Sequence, residues 1–268
     1  MSKTAYYWDE HSIQHDTGQH VECIARAERL RPERIKQRVP EIMVRPVAAR
    51  DVRPWIQSIH KPEYVDFIRH ACENGPEIVD TGDTIVSLMS YDAAIAGVSA
   101  VLCAADAVMS GEADNAFCAV RPPGHHALPD RAMGFCLFAN VAIAARYLQR
   151  HHGLGRIAIV DWDVHHGNGT NDIFYEDPSV FFVSLHQFPL WPGTGRATDR
   201  GRGAGEGFTM NVPIPPNTEE SDYLATFEQS VLPALEKFAP EFVLVSAGFD
   251  AHRDDPLGSL RLTEAGFA

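Results

Sequence analysis

The segment Asp161-Trp-Asp163-Val-His165-His166-Gly-Asn168-Gly is the part of this chain densest in groups that bind metals or move protons. Side chains of an extended chain alternate faces, so Asp161, Asp163 and His165 are expected to project to one side. Three ionisable groups at the end of a buried strand cost free energy unless something compensates them. A metal ion does so directly, and carboxylate oxygens with an imidazole nitrogen suit Zn²⁺ at roughly 2.0–2.2 Å. A catalytic zinc takes three protein ligands and keeps one position open, so one more ligand is needed from elsewhere. Asp250, at the end of the apolar run FVLVSAGF, faces the same desolvation cost and completes an Asp163, His165, Asp250 set. Alone, Asp250 reads as a helix N-cap or a solvated loop carboxylate; the pairing with the Asp163 segment selects the ligand reading. Asp161 then stands behind the ligands and orients a histidine.

His125 and His126 follow Arg121-Pro-Pro-Gly124, a composition that fixes a rigid, non-helical turn. Adjacent imidazoles in such a turn can face one reacting centre, and their pKa near neutrality suits general acid–base work. His151-His152 provide the contrast. They end a predicted helix, where the helix dipole favours histidine, and they read as terminal residues without chemistry. His11, His15, His60 and His70 read as surface or core residues. Gly134-Phe135-Cys136 and Trp191-Pro192-Gly193 place aromatic rings near the same segments. A facing pair of rings makes a narrow slot for an extended aliphatic chain, whereas each alone reads as core.

The elements that must position these groups are strands at 4–8, 43–47, 116–121, 157–164, 180–186, 208–214 and 242–249. Several are apolar on both parities (IAIV, VFFVSL, FVLVSA), the pattern of strands covered on both faces. Helical patterns run over 28–38, 62–73, 90–110, 139–152 and 221–237. The alternation predicts an α/β chain, a mainly parallel sheet between layers of helices, in one domain over 1–268. The loops at Arg121–Leu128, His165–Gly169, His186–Gly195 and Phe249–Gly258 each follow a strand, where open α/β sheets bind ligands. The Gly-rich run Gly195–Gly207 lacks the spacing of a phosphate cradle and reads as a flexible surface connection.

The chain has 268 residues, enough for a sizeable core, with 23 Lys plus Arg against 36 Asp plus Glu. A net charge of −13 has the wrong sign for binding by phosphate neutralisation, so no direct nucleic-acid partner is expected. The N-terminal segment shows no basic stretch followed by an apolar run, and no run approaches 18 consecutive apolar residues. The expectation is a cytoplasmic protein without a membrane partner. Its five cysteines, odd in number and without CxxC spacing, read as reduced thiols. Oligomeric state is not legible.

Together RPPGHHA, GFCLFAN, DWDVHHGNGT, SLH…WPGTG and SAGFDAHRDDPLG resemble the zinc-dependent histone deacetylase family, with its arginase/deacetylase fold. The likeness is to bacterial and class II-like members, which include acetylpolyamine amidohydrolases. The resemblance implies a three-layer α-β-α fold with an eight-stranded parallel sheet. It also implies one zinc per chain and hydrolysis of an acyl amide on a lysine-like or polyamine amine. By motif it makes Asp163, His165 and Asp250 the zinc ligands, His126 the general base and His125 its electrostatic neighbour. Asp161 is the carboxylate turned toward His125, and Asn168 stands where some relatives carry aspartate beside His126. Gly134, Phe135 and Trp191 match the acyl-chain tunnel, and Leu257 falls where polyamine-selective relatives can place an acidic gatekeeper. Asp161, Ser184 and Leu185 match a structural K⁺ site. Asp83 is a further candidate at the substrate rim.

Two departures stand out. His20, Glu22 and Arg26 keep the family spacing, with Arg26 lining an internal acetate exit, but Val21 and Ile24 replace the usual prolines. Second, relatives continue into a final central strand and a Gly-rich loop carrying a catalytic tyrosine. None of the seven tyrosines here lies in such a loop after Asp250. The expectation is therefore a C-terminally truncated chain without that strand and without the tyrosine donor, whose loss typically costs on the order of 10²–10³ in rate. Two rival readings follow: a non-catalytic module that binds acylated ligands, and an arginase-like dimanganese hydrolase, for which too few ligands are present.

Overall fold

The first strand, β1 (Thr4–Trp8), and two short helices, α1 (Ile24–Arg29) and α2 (Pro32–Arg38), begin the computed structural model. It describes residues 2–80, 82 and 84–268, so the rim candidate Asp83 lies outside the described residues. One helix is expected over 28–38, but Pro32 opens a second, and Arg31 before it is extended at φ −55°, ψ 140°. A residue preceding proline is pushed out of the helical region, and the missing proline N–H costs nothing in a first turn. Next come β2 (Met43–Arg45), α3 (Arg53–Ile56), α4 (Pro62–Asn74) and an antiparallel pair, β3 (Glu77–Ile78) with β4 (Ile85–Val86). Helix α5 (Ser90–Met109), strand β5 (Asn115–Ala119) and helix α6 (Asn140–His151) follow.

These elements belong to the first of two compact units, Met1–His152 and Gly153–Ala268. Its main sheet has the order β2-β1-β5, all parallel, with Ala5 facing Met43 on one side and Ala116 on the other. Ala100, Cys103, Ala104 and Ala107 of α5 pack on Ala5 and Tyr7, small side chains that let helix and sheet approach closely. By length and composition α5 could cross a membrane, but its Ala93, Val98, Leu102 and Ala105 are buried within the unit.

The second unit contains β6 (Ile157–Asp161), α7 (Asn168–Ile173), β7 (Val180–Gln187), β8 (Thr209–Ile214), α8 (Glu220–Thr226), α9 (Leu232–Phe238) and β9 (Phe242–Ser246). A π-helical turn, Phe227–Val231, joins α8 to α9 just ahead of Pro233, a residue that cannot complete the α-helical ladder. The strands order β8-β7-β6-β9, again all parallel. Every residue of β6 and β7 is buried, and Val160, Val183, Leu185, Ile214, Val231 and Leu260 form the core. The mainly parallel α/β architecture matches the class expected from the strand and helix patterns.

Two local expectations are corrected. FVLVSA predicts a strand covered on both faces, yet β9 alternates, with Val243 47% and Val245 40% exposed. Among the described residues β9 pairs only with β6, so it is an edge strand. The strand read over 157–164 stops at Asp161, which puts Asp163 and His165 in a loop. The Gly-rich run lies at the surface as expected, with most of its residues exposed, but it is anchored at the buried Gly195, Gly201 and Gly205. Gly205 is buried, and a β-carbon there would meet the backbone of Tyr175, Glu176 and Asp177.

Candidate metal centre

With β6 ending at Asp161, the loop that follows holds its shape through its own polar groups. The Asp163 N–H donates to Asp161 Oδ1 at 3.2 Å, and the His165 N–H donates to Asp163 Oδ1 at 2.8 Å. The pleat therefore does not align Asp163 with His165; a carboxylate capping the backbone two residues on does. The loop after β9 brings in Asp250, whose Oδ1 accepts from the Val164 N–H at 2.8 Å. His165 Nδ1 lies 3.1 Å from Asp163 Oδ1 and 3.0 Å from Asp250 Oδ2. One ligand atom each from Asp163, His165 and Asp250 lies within 4.8 Å of the other two.

Two glycines make this approach possible. A β-carbon on Gly248 would fall on the Asp163 side chain, and one on Gly167 would fall on the Asp161 carboxylate. Gly248 does not stand out in the sequence, because its need arises only where the loops after β6 and β9 meet.

The electrostatics follow from crowding. Burial pulls the His165 imidazole down, but hydrogen bonds and charge from Asp163 and Asp250 outweigh it and push its pKa up to about 10. Burial and the Asp163 charge raise Asp250 to about 6, against the opposing pull of His165 and the Val164 N–H. Two carboxylates and an imidazole that cling to a proton form a donor set a divalent cation can take over.

Around this cluster, Asp161 is fully buried and sits in register with Ser184 on β7 and Ser246 on β9. Ser184 and Leu185 are fully buried as well. Burial holds His186 down to about 4, hence neutral; its Nε2 donates to the Gly195 carbonyl at 2.9 Å and its Nδ1 accepts from Ser184 Oγ at 2.9 Å. Asn168 is buried in the first turn of α7. The Trp191 ring is half-exposed, with its centroid 6.0 Å from that of His165 and nearly perpendicular to it. Leu257 is exposed on the loop beyond Asp250, its N–H bonded to Asp255.

The other sequence-derived residues belong to the first unit. His125 and His126 pack ring on ring with centroids 3.8 Å apart, and His126 is buried. Gly134 and Phe135 both take positive φ, 55° and 69°. For a phenylalanine that conformation is costly and needs support. The support is a hydrogen bond from the Phe135 N–H to Thr84 Oγ1 at 3.0 Å and an edge-on His20 ring 4.6 Å away. Asp80 in turn fixes Thr84, accepting from its N–H and its hydroxyl. Arg26, which the family pattern makes the lining of an acetate exit, has a side chain 60% exposed and lies 3.7 Å from the Glu22 carboxylate. Arg121 is the arginine buried against Glu22, with paired 2.5 Å hydrogen bonds and a third to the Ser12 carbonyl. Sequence reading marked Arg121 only as the start of a loop.

A histone deacetylase domain model matches residues 20–268. The chain belongs to the histone deacetylase family. Among its relatives, it is 43% identical over 213 residues to a "Probable deacetylase" of Archaeoglobus fulgidus, a match covering 80% of this chain and 58% of that protein. It is 42% identical over 220 residues to "Histone deacetylase 14, chloroplastic" of Arabidopsis thaliana, covering 78% and 52%. A "Histone deacetylase-like amidohydrolase" of Pseudomonas aeruginosa is 38% identical over 287 residues, covering 99% of this chain and 74% of that one. The chain thus spans little more than half the length of the first two. Among solved histone deacetylase structures, the HDA15 HD domain superposes with a TM-score of 0.91 at 37% identity, over 99% of this chain and 78% of that chain.

Proposed function

We propose that the protein is a zinc-dependent hydrolase that releases acetate from an acetylated lysine-like amine. The observation that carries this reading is the convergence of Asp163, His165 and Asp250. Their two carboxylates and one imidazole fit Zn²⁺, and three ligands leave a coordination position for substrate or water. Bound there, one zinc per chain would polarise the amide carbonyl and make water more acidic. The family pattern assigns proton transfer to His126, which takes a proton as water attacks and returns it to the departing amine. His125, Asp161 and Asn168 complete the catalytic set carried over by that pattern. Gly134, Phe135, Trp191 and Leu257 are its substrate-channel residues. Asp161, Ser184 and Leu185, buried and in neighbouring register, supply the oxygen-rich setting that suits a structural K⁺.

The apolar, exposed Leu257 favours acetyl-lysine over acetylpolyamines, and the net charge of −13 suits a cationic substrate of either kind. The five free cysteines belong with a cytoplasmic setting. Acetate release from an acetyl-lysine peptide and from an acetylpolyamine, measured with a hydroxamate chelator as inhibitor, tests the reading. Expected are hydroxamate inhibition, preference for the peptide, and loss of turnover in His126→Ala with zinc retained. Undiminished acetate release by Asp163→Ala or Asp250→Ala protein would overturn it.

A further inference from the structure

The C-terminal ends of α5 and α6 carry a second group of metal-binding side chains, which the sequence reading passed over. One ligand atom each from Asp106, His151 and His152 lies within 4.8 Å of the other two. Asp106 is in the last turn of α5, His151 is the last residue of α6 and His152 is its C-cap. We propose that Asp106, His151 and His152 form a binding site for a divalent first-row transition ion such as Zn²⁺ or Cu²⁺.

Several observations point to a cation here. Each helix C-terminus carries partial negative charge on its unsatisfied carbonyls, and a carboxylate in the last turn adds to it. Arg50 Nη2 takes one oxygen of that carboxylate, Oδ2, at 2.6 Å. The other, Oδ1, meets His152 Nε2 at 2.8 Å and accepts from the Tyr147 hydroxyl at 2.7 Å. Ligands about 2.0–2.2 Å from one tetrahedral ion lie about 3.4 Å apart, so His152 and Asp106 need to separate by only about half an ångström to admit it. His151 is already held in place, its ring stacked on Tyr147 with centroids 4.7 Å apart at 14°, and the Trp55 ring stands edge-on at 6.2 Å. Two imidazoles and one carboxylate form a donor set that borderline transition ions prefer over Ca²⁺ or Mg²⁺. A cleft of about 560 Å³, lined in part by Asp106, His152, Cys103 and Glu112, gives an ion a way in.

A bound ion would tie the ends of α5 and α6 together. The test is calorimetric titration of chelator-stripped full chain with Zn²⁺. Wild type is expected to show two classes of site, and His151→Ala or His151→Ala/His152→Ala protein one. Asp163→Ala should lose the other class and keep this one, so the two assignments fail separately. In Asp163→Ala/Asp250→Ala protein, Cu²⁺ should give an electron paramagnetic resonance spectrum with two coordinated nitrogens, lost on adding His151→Ala. Wild type with a single class that Asp163→Ala removes, or a second class that survives both histidine variants, overturns the site.

Discussion

The two clusters, Asp163/His165/Asp250 and Asp106/His151/His152, are built from the same residue types yet neutralise their charge differently. In the first, two carboxylates crowd one imidazole, and backbone N–H groups of the loop donate to both acids. In the second, one carboxylate already holds Arg50 and Tyr147. Burial opposes ionisation of Asp106, but Tyr147, Arg50 and His152 outweigh it and hold its carboxyl below the ordinary range. Two like charges near 4 Å apart cost about 4 kcal/mol at an effective dielectric constant of 20, and a divalent ion between them turns that cost into attraction. The first cluster therefore stores repulsion that only a cation or a proton relieves. The second has its compensating cation built in. This difference predicts tight binding at the first and weaker, stabilising binding at the second.

The largest effect should come from removing a carboxylate at the first cluster. Asp163→Ala is expected to lower zinc affinity by on the order of 100-fold or more, beyond the usual effect of altering a residue behind a ligand. Zinc retained after dialysis and the rate of acetate release measure it. Retention equal to wild type would erase the distinction between the clusters. Gly248→Ala comes next, because the added methyl group collides with Asp163. Overpacking of this kind costs about 1–3 kcal/mol, so a lower melting temperature should accompany weaker zinc binding. An alanine variant with wild-type melting and zinc content would show that the loop gives way.

Acidity sharpens the contrast. The His165 pKa is about 10 in the folded, metal-free chain against an ordinary 6.5, so a proton stabilises that form below pH 6.5, and this contribution fades as pH rises toward 10. Zinc must expel that proton. Affinity at this cluster should therefore rise about tenfold per pH unit across this window. Below about pH 6 Asp250 also takes up a proton, and the dependence should steepen. Competition titrations at several pH values read the slope directly, and a flat profile would remove the proton-holding character assigned to His165.

Much of this was legible in the sequence because it is local. Each of the seven apolar runs read as a strand overlaps one among the described residues, though several strands end earlier than read, and Asp163, His165 and Asp250 share a cluster because each follows a strand of one sheet. What escaped depends on neighbours the sequence does not display. Val243 and Val245 read as buried from their own residues, but the exposure of a strand's face is decided by what packs on that face, which the strand's own residues do not display. Asp163 and His165 converge through a capped loop rather than a pleat. Phe135 takes an unfavourable backbone conformation because Thr84 and Asp80, about 50 residues away, hold it. The pairing of Arg121 with the buried Glu22, about 100 residues away in sequence, escaped for the same reason.

The smallest effect separates the clusters most cleanly. His151 is exposed and stacks on Tyr147, so His151→Ala in the presence of chelator should change stability by no more than about 0.5 kcal/mol, as for most surface substitutions. Asp106 keeps Arg50, Tyr147 and His152 in that variant, so the ends of α5 and α6 stay joined. Added Zn²⁺ should separate the two proteins. At 100 times its dissociation constant, an ion that binds only the folded state adds about 2.7 kcal/mol, roughly 5–11 °C in melting temperature for a chain of this size. The Asp163→Ala background isolates this gain, since binding at the first cluster would otherwise mask it. There, His151→Ala should lose most of the zinc-dependent rise while its melting in chelator stays the same. An equal rise with and without His151 would mean that the imidazole stacks on Tyr147 and holds no ion.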